Sequence, residues 1–387
     1  MALIKLNSNS FSNWTTAIPD DSVTTAKIAD DSIQSLKNRN LIINGAMQVA
    51  QRGTQVTGVT TPGYRTCDRF YHSVSNLGTW TVDQSTDAPN GFSNSFKLTC
   101  TTADASPAAA DWCFLFHRIE AQNLQHLAFG TADAKSMTLS FWVKSNKTGA
   151  ASLDLLQFDN STKMVSKSYT INSADTWEYK TISIPADTAG LIDNDNGYGL
   201  QIEWWLNSGT DWSSGSLQST WSTYDATHRN VSNLGVGGAI NDYFAITGVQ
   251  LEVGEVATPF EHESFGQTLA KCQRYYEKSY NQDDAPGTST QNGLAMTTTV
   301  PGNANMACSV FFAVEKRAAP TVLVWSHDGT SNKLSVRNPS AVLSEYSTTQ
   351  GVPIYSTATR GALLRWSSGS STGYVSWGYQ WTADSEL

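Results

Sequence analysis

Apolar and polar residues alternate along most of the chain between residues 40 and 263, a period of two that predicts strands with one buried face. The predicted buried faces are Phe96, Leu98 and Cys100; Met137, Leu139, Phe141 and Val143; Leu200, Ile202, Trp204 and Leu206; and Tyr243, Ala245, Thr247, Val249, Leu251 and Val253. Turn-forming clusters such as Asp87–Gly91 and Asp193–Gly197 separate such segments. Many short strands with this punctuation are typical of a β-sandwich or β-barrel.

The period changes at Ser264. Ser264 and Gln267 have the spacing of a capping box, which predicts a helix N-terminus there. We expect a short connector helix within residues 264–280 that ends near Ser279. After it the strand period returns in two sets, namely Cys308, Val310, Phe312 and Val314, and then Val375, Trp377, Tyr379 and Trp381.

The first 38 residues contain a repeat at ten-residue spacing, in which Asp20–Lys27 aligns with Asp30–Lys37. Each copy has only two small or medium apolar residues (Val23 and Ala26 in the first, Ile33 and Leu36 in the second), too few to form a core. Such units become stable when copies stack or several chains wrap together. The repeat favours an anchor or oligomerising stalk, and a disordered tail with chance similarity is the alternative.

We therefore predict a mainly β chain in four parts. Residues 1–38 are an extended N-terminal anchor, 39–263 a first β domain, 264–280 the connector helix and 281–387 a terminal β domain. The composition agrees, because 40% hydrophobic residues are enough for a core and 15% charged residues are too few for a typical coiled coil.

The formal net charge of −9 disfavours a nucleic-acid partner. From Glu263 onward 9 basic and 9 acidic residues balance, so the negative charge lies before it, which supports a boundary near residue 262. The 5 cysteines include no CxxC pair, so we expect reduced thiols and neither a disulfide scaffold nor a zinc ribbon. We also expect no membrane insertion and no secretory signal, because the sequence has no long apolar run and no basic-then-apolar start.

Several stretches resemble a module of bacteriophage tail-fibre proteins. They are NRNLIINGAMQVAQRGT at residues 38–54, DRFYH at 68–72, TWEYKTISIPADT at 176–188, and ITGVQLEVG followed by ATPFE and LAKCQRYY between residues 246 and 276. The last block is the most specific. The repeat before residue 38 is similar to the stalk segments of such fibres, and the resemblance weakens after about residue 285.

The resemblance implies a jelly-roll sandwich like those of carbohydrate-binding modules, a homotrimeric fibre and a receptor-contacting tip. It implies a virion tail protein, assembled in the host cytoplasm, whose residues 1–38 dock on other tail proteins. We assign docking or oligomerisation to the apolar residues of the repeat and helix, namely Val23, Ile28, Ile33, Leu36, Leu269 and Tyr276. Tyr275 and Tyr276 are interpreted as trimer-axis packing.

An enzymatic reading has little support in the sequence. The 6 histidines show no metal-ligand spacing. Gly369–Gly373 matches Gly-x-Ser-x-Gly only in letters, within a Ser-rich turn and not a strand-to-helix turn. His117 and Glu120 lie three apart in a predicted strand and therefore face opposite sides. We expect no catalytic residues, no metal and no cofactor.

Sugar binding is the sharper hypothesis, because aromatic rings cover the C–H faces of pyranoses while polar groups reach the hydroxyls. Residues 193–230 have this mixture, and the candidate residues are Trp204, Trp205, Trp212, Trp221, Tyr224 and Asp211. Trp204 and Trp205 should face opposite ways, one in the core and one exposed. The alternative is that these rings cover the sandwich or pack against a neighbouring chain.

Two further regions are open to interpretation. Asp193–Gly197 resembles the start of a calcium loop but has Trp204 at the twelfth position where glutamate is required, so a solvated turn is favoured. In the terminal domain we expect Trp325, Trp366, Trp377 and Trp381 to be mostly core, with Tyr374 among them. Receptor contact there would fall to the loops Ser326–Lys333 or Ser367–Gly373.

The sequence therefore favours a non-enzymatic, homotrimeric fibre protein that binds a bacterial surface polysaccharide. A structural virion role without receptor binding, as a capsid decoration or tail adaptor, is the first alternative. A glycan-degrading enzyme is the second.

Overall fold

The computed structural model describes residues 38–159, 161–299, 305–337, 343–346, 354–367 and 375–387. The predicted stalk, with Val23, Ile28, Ile33 and Leu36, lies outside these residues, as do Tyr374 and most of the loop Ser367–Gly373. The described chain is mainly β and forms two β-sandwiches, which confirms the predicted fold class.

The first sandwich consists of two antiparallel sheets. Its strands are β1 (Gln55–Val59), β2 (Gly63–Tyr64), β3 (Phe70–Ser75), β4 (Thr79–Ser85), β5 (Ser95–Thr102), β6 (Trp112–Glu120), β7 (Met137–Ser145), β8 (Gly149–Gln157), β9 (Lys163–Ile171), β10 (Glu178–Ile184), β11 (Tyr198–Ser208), β12 (Ser222–Thr223) and β13 (Tyr243–Val253). Sheet A has the order β1-β4-β5-β13-β7-β10 and sheet B the order β12-β9-β8-β11-β6-β3-β2. Sequence neighbours are often separated, so the register depends on long-range contacts.

The core lies between sheets A and B. Three of the predicted apolar faces are confirmed, because the inward residues of β5, β7 and β11 are fully buried there. The prediction for β13 is half wrong. Its register against β7 shifts by one residue between Thr247 and Gln250, so Phe244 and Ile246 face the core before the shift and Val249 and Leu251 after it. Gly248, with a φ of 60°, occupies this bulge.

Short helices join the strands of the first domain. They are α1 (Thr210–Ser213) and the 3₁₀ segments Ala121–Leu127 and Ala226–His228. The helix α2 (Phe265–Gln273) follows the sandwich. Ser264 and Gln267 form the predicted capping box, but the helix ends at Gln273 and not near Ser279.

The terminal domain contains nine strands among the described residues. They are β14 (Tyr276–Lys278), β15 (Ala295–Thr299), β16 (Asn305–Phe311), β17 (Thr321–Trp325), β18 (Leu334–Arg337), β19 (Leu343–Tyr346), β20 (Ile354–Ala358), β21 (Gly361–Ser367) and β22 (Val375–Asp384). The long strand β22 pairs with β14, β15, β17 and β18, while β16, β21 and β20 form a second sheet. Trp366, Trp377 and Trp381 are buried in the core of this domain, as predicted.

The two domains are joined by arginines that hold the last described residues. Arg69, which has no exposed side chain, pairs with Glu386, and Arg52 lies 3.3 Å from the same carboxylate. Arg317 of the terminal domain donates to the carbonyl oxygens of Ser385 and Glu386, both at 2.6 Å, and to that of Asn196 in the first domain at 3.1 Å. The segment 384–387 is thereby fixed against the first domain.

Tyr275 and Tyr276 belong to this joint, which corrects their assignment to a trimer axis. Both lie beyond the end of α2 and are buried, at 1% and 6% exposed. Arg69 stacks on the Tyr275 ring at 3.5 Å and Arg52 on the Tyr276 ring at 3.6 Å. Since contacts within the chain cover both rings, neither presents a face to another protomer. Leu269, on α2, is only half-buried.

Candidate functional site

A groove of about 610 Å³ lies on the outer face of sheet B. Successive side chains of β6 and β11 point to opposite faces of the sheet, so every second side chain of each strand faces the groove. Leu115 and Ile119 of β6 point into the core, while Phe114, Phe116 and Arg118 point outward into the groove.

Cross-strand register places the outward residues in rows. Glu203 of β11 lies opposite Asp154 of β8 on one side and Phe116 of β6 on the other, and Phe116 lies opposite Tyr71 of β3. A second row runs through Leu156, Gln201 and Arg118. The groove therefore has acidic, amide, aromatic and basic groups within reach of one bound molecule.

Aromatic rings form the floor and walls of the groove. Phe116 stacks on Tyr71 with the ring centroids 4.4 Å apart and the planes 20° apart. Phe114 packs on Trp205 at 4.5 Å beneath the surface. The rings of Tyr71, Phe158 and Tyr224 line the groove and are only half-buried, so each keeps some exposed surface.

A buried ion cluster lies next to this floor. The Arg229 guanidinium lies 4.7 Å from the Trp205 ring centroid and donates from Nε to Asp154 Oδ2 at 3.0 Å. Its Nη2 pairs with Glu203, whose carboxylate also accepts from Gln201. Trp205 Nε1 donates to Asp154 Oδ1 at 3.3 Å. The charged atoms are thus held in one arrangement.

The electrostatics of the cluster follow from two carboxylates sharing one guanidinium. Burial, reinforced by the charge of Glu203, raises the pKa of Asp154 well above its usual range. Burial alone would lower the pKa of Arg229, but Glu203 and Asp154 outweigh it and raise that pKa. The raised pKa of Asp154 favours its protonated form, so the two carboxylates together carry less than two negative charges opposite the Arg229 guanidinium.

Arg118 and the end of the described chain close one end of the groove. The Arg118 guanidinium stacks over Phe116 at 4.6 Å and Tyr198 at 4.5 Å. Its Nε donates to Gln201 Oε1 at 2.5 Å, and its Nη1 donates to the main-chain oxygen of Leu387 at 2.7 Å. Leu387 itself lines the groove, so the terminal domain contributes a wall to a site that lies mainly on the first domain.

The predicted glycan-binding residues are only partly brought together here. Trp204 and Trp205 do face opposite ways, but both have no exposed surface. The prediction that one of them is exposed is wrong, because Phe114 and Arg229 cover Trp205. Neither indole presents a face to a ligand.

The other candidates are scattered. Tyr224 lines the groove. Trp212 on α1 is half-buried, packs on Trp205 at 5.9 Å, and donates from Nε1 to the Ala110 carbonyl oxygen at 3.2 Å. Trp221 packs against the core and donates to the Pro185 carbonyl oxygen at 2.8 Å, without lining the groove. Asp211 is exposed on α1 and does not line it.

Sequence reasoning missed most of the groove, namely Tyr71, Phe114, Phe116, Arg118, Phe158, Glu203 and Arg229. A signal was present in β6, whose sequence WCFLFHRIE has large apolar residues on both faces. A strand that is apolar on both faces must have its outer face covered or functional.

The other motifs are structural in the described part of the chain. In Asp193–Gly197, the Asp195 carboxylate accepts from the Gly197 N–H at 2.8 Å, which makes a hydrogen-bonded turn. The described residues contain no cluster of three or more His, Cys, Asp or Glu side chains suited to a metal ion. Within those same residues, no helix has the length and apolar character to cross a membrane.

Comparisons with known sequences found no matching protein-family model and no matching curated protein. Three solved structures are similar at low level. They are the enzymatically active domain of tailspike protein 4 of bacteriophage CBA120 (14% identity, 56% of this chain and 22% of that chain, TM-score 0.30), a chain designated CBM4 (11%, 55% and 99%, 0.29), and TmCBM61 in complex with β-1,4-galactotriose (10%, 56% and 100%, 0.27). This chain thus spans about a fifth of the tailspike chain. At such TM-scores we base no function on these likenesses.

Proposed function

We propose that this protein is a non-enzymatic glycan-binding component of a bacteriophage tail fibre, and that the groove on sheet B holds an oligosaccharide of the bacterial surface. The observation that carries the proposal is the groove itself. Its volume of about 610 Å³ falls within the roughly 300–1,000 Å³ typical of ligand sites. Half-buried aromatic rings line it beside fixed polar groups.

The chemistry of the lining suits a sugar. The half-buried rings of Tyr71, Phe158 and Tyr224 offer apolar surface to pyranose C–H groups, while Gln201 and Arg118 supply donors and acceptors for hydroxyls. Each polar group is already oriented by a neighbour, as Arg118 is by Gln201 and Leu387. Fixed side chains lose little entropy when a ligand binds.

The fibre part of the proposal rests on the resemblance of residues 38–276 to tail-fibre modules and on the repeat before them. We propose that residues 1–38 dock on other tail proteins and that the chain is a homotrimer. Single glycan contacts are weak, and three linked grooves would raise the apparent affinity about 10²–10⁴-fold if one polymer engages them together.

The test is binding of the full chain to immobilised bacterial capsular and lipopolysaccharides and to β-1,4-galactotriose. Tyr71→Ala removes a half-buried groove ring, and Tyr179→Ala is the matched control, because Tyr179 is 45% exposed on sheet A. We expect Tyr71→Ala to weaken binding at least about tenfold, or about 1.4 kcal/mol, and Tyr179→Ala to leave it unchanged. Reducing ends are measured in the same samples.

Three results would count against the proposal. Equal losses from the two tyrosine variants would place the sugar elsewhere. No binding by a confirmed trimer would favour a structural virion role. Release of reducing ends would show that the chain degrades its ligand.

A further inference from the structure

A second pocket, of about 400 Å³, lies on the outer face of the terminal sheet, apart from the groove. Its floor follows from the register of β22 with its neighbours. Trp381 and Ala383 of β22 point into the core, so Thr382 and Asp384 point outward. Thr382 lies between Lys278 and Leu323, and Asp384 lies opposite Thr321.

One side of this pocket is apolar. Leu323 is 40% exposed, although it lies in a strand whose neighbours Val322 and Val324 are buried. Trp325 and Pro286 also line the pocket. The buried Nε1 of Trp325 has no hydrogen-bond partner among the described residues.

The other side is polar and charged. The Asp384 carboxylate is 44% exposed and lies 3.0 Å from Arg52 Nη2. Arg52 comes from the first domain and stacks on Tyr276 at 3.6 Å, so its guanidinium is fixed in place. Thr321 is exposed and Thr382 is at the floor. Hydroxyls, a carboxylate and a guanidinium thus face an indole and an aliphatic chain across one small cavity.

We propose that this pocket binds a single pyranose unit, with its C–H face on Trp325 and Leu323 and its hydroxyls toward Asp384, Thr321 and Arg52. The volume accommodates one ring with its substituents and excludes a long chain from lying within it. This second site is formed by both domains and does not depend on sugar binding in the groove.

The test uses saturation-transfer NMR on the full chain with methyl glycosides of glucose, galactose, mannose, rhamnose and N-acetylglucosamine. Trp325→Ala removes the indole. Thr321→Val removes one hydroxyl at nearly constant volume and is the variant least able to disturb folding. Tyr71→Ala is the control, because Tyr71 lines the groove and does not line this pocket. Unchanged melting temperatures confirm that each variant is folded.

We expect at least one glycoside to give a signal that survives Tyr71→Ala, falls at least tenfold in Trp325→Ala and falls measurably in Thr321→Val. The proposal is overturned if no glycoside binds the full chain, or if every signal survives Trp325→Ala. It is also overturned if Trp325→Ala cannot fold and Thr321→Val binds like the parent. Signals lost only in Tyr71→Ala would support the groove and exclude this pocket.

Discussion

Replacing Arg229 by methionine should lower the free energy of unfolding by about 3–5 kcal/mol. The side chain of Arg229 is 7% exposed, and the carboxylates of Asp154 and Glu203 that it contacts are fully buried. Methionine leaves the negative charge of this carboxylate pair in the interior without a counter-charge. Methionine keeps much of the apolar contact with Trp205, so the loss reports mainly on the charge.

The structure also predicts an asymmetry between the partners. Glu203→Gln should cost much less than Arg229→Met, because Asp154 can release its proton and take over the guanidinium. The double variant Arg229→Met with Glu203→Gln should recover most of the loss, since no uncompensated charge remains. Lys144→Met is the matched control, as its partner Asp87 is 42% exposed and such surface pairs are worth about 0–1 kcal/mol.

The assay is urea unfolding followed by tryptophan fluorescence and far-ultraviolet circular dichroism, with each variant compared at a common slope. A loss below about 1 kcal/mol for Arg229→Met would refute the reasoning, because it would place the cluster in contact with water. A double variant no more stable than Arg229→Met would refute the charge assignment, since lost packing would then explain the whole effect.

Three further predictions follow from contacts at and around the groove. Burial and a neighbouring carboxylate raise the pKa of Asp154, so folding favours its protonated form. The stability gained in this way is lost as pH rises from about 4 through the folded pKa. Asp154→Asn should therefore make Tm depend less on pH, and an unchanged dependence of Tm on pH would contradict the prediction. Glu386→Ala should raise amide hydrogen exchange in residues 384–387 and weaken groove binding, and unaltered exchange would show that the segment is held otherwise. Gly248→Ala should lower the free energy of unfolding in urea by about 1–2 kcal/mol. The φ of Gly248 is 60°, and an added Cβ would lie 2.7 Å from the Phe92 ring. An unchanged free energy of unfolding would mean that the bulge relaxes.

Much of the fold could be predicted because a strand with one buried face has apolar residues at every second position of its sequence. The alternation at Met137–Val143 depends only on neighbours two residues apart, and its predicted inward members, every second residue from Met137 to Val143, are buried. Ser264 and Gln267 likewise fixed the start of α2 within one turn. The end of α2 was not predictable in this way, because Tyr275 and Tyr276 stack with arginines that lie more than two hundred residues earlier in the sequence.

The bulge in β13 shows where local periodicity stops being sufficient. Ala245, Thr247 and Val249 keep a period of two in the sequence, yet only Val249 of these faces the core. One extra residue at the bulge exchanges the two faces of the strand. Before Gly248, apolar residues occur on both faces of the strand. The sequence pattern alone therefore did not decide which face is buried there.

The groove was hardest to predict because its residues are distant along the chain. The tryptophans that suggested a binding site from the sequence are not the rings that are accessible in it. The mixture of aromatic and polar residues favoured residues 193–230, but Trp204 and Trp205 there are fully buried. The rings that stay accessible, Tyr71, Phe158 and Tyr224, come from three separate segments. Trp205 lies beneath the groove and contributes indirectly. Arg229 stacks on the Trp205 ring, while Asp154 and Glu203 accept hydrogen bonds from the guanidinium nitrogens of Arg229. A tryptophan in such a strand thus supports the binding surface through the residues that cover it, and the smaller half-buried rings are where substitution should change affinity first.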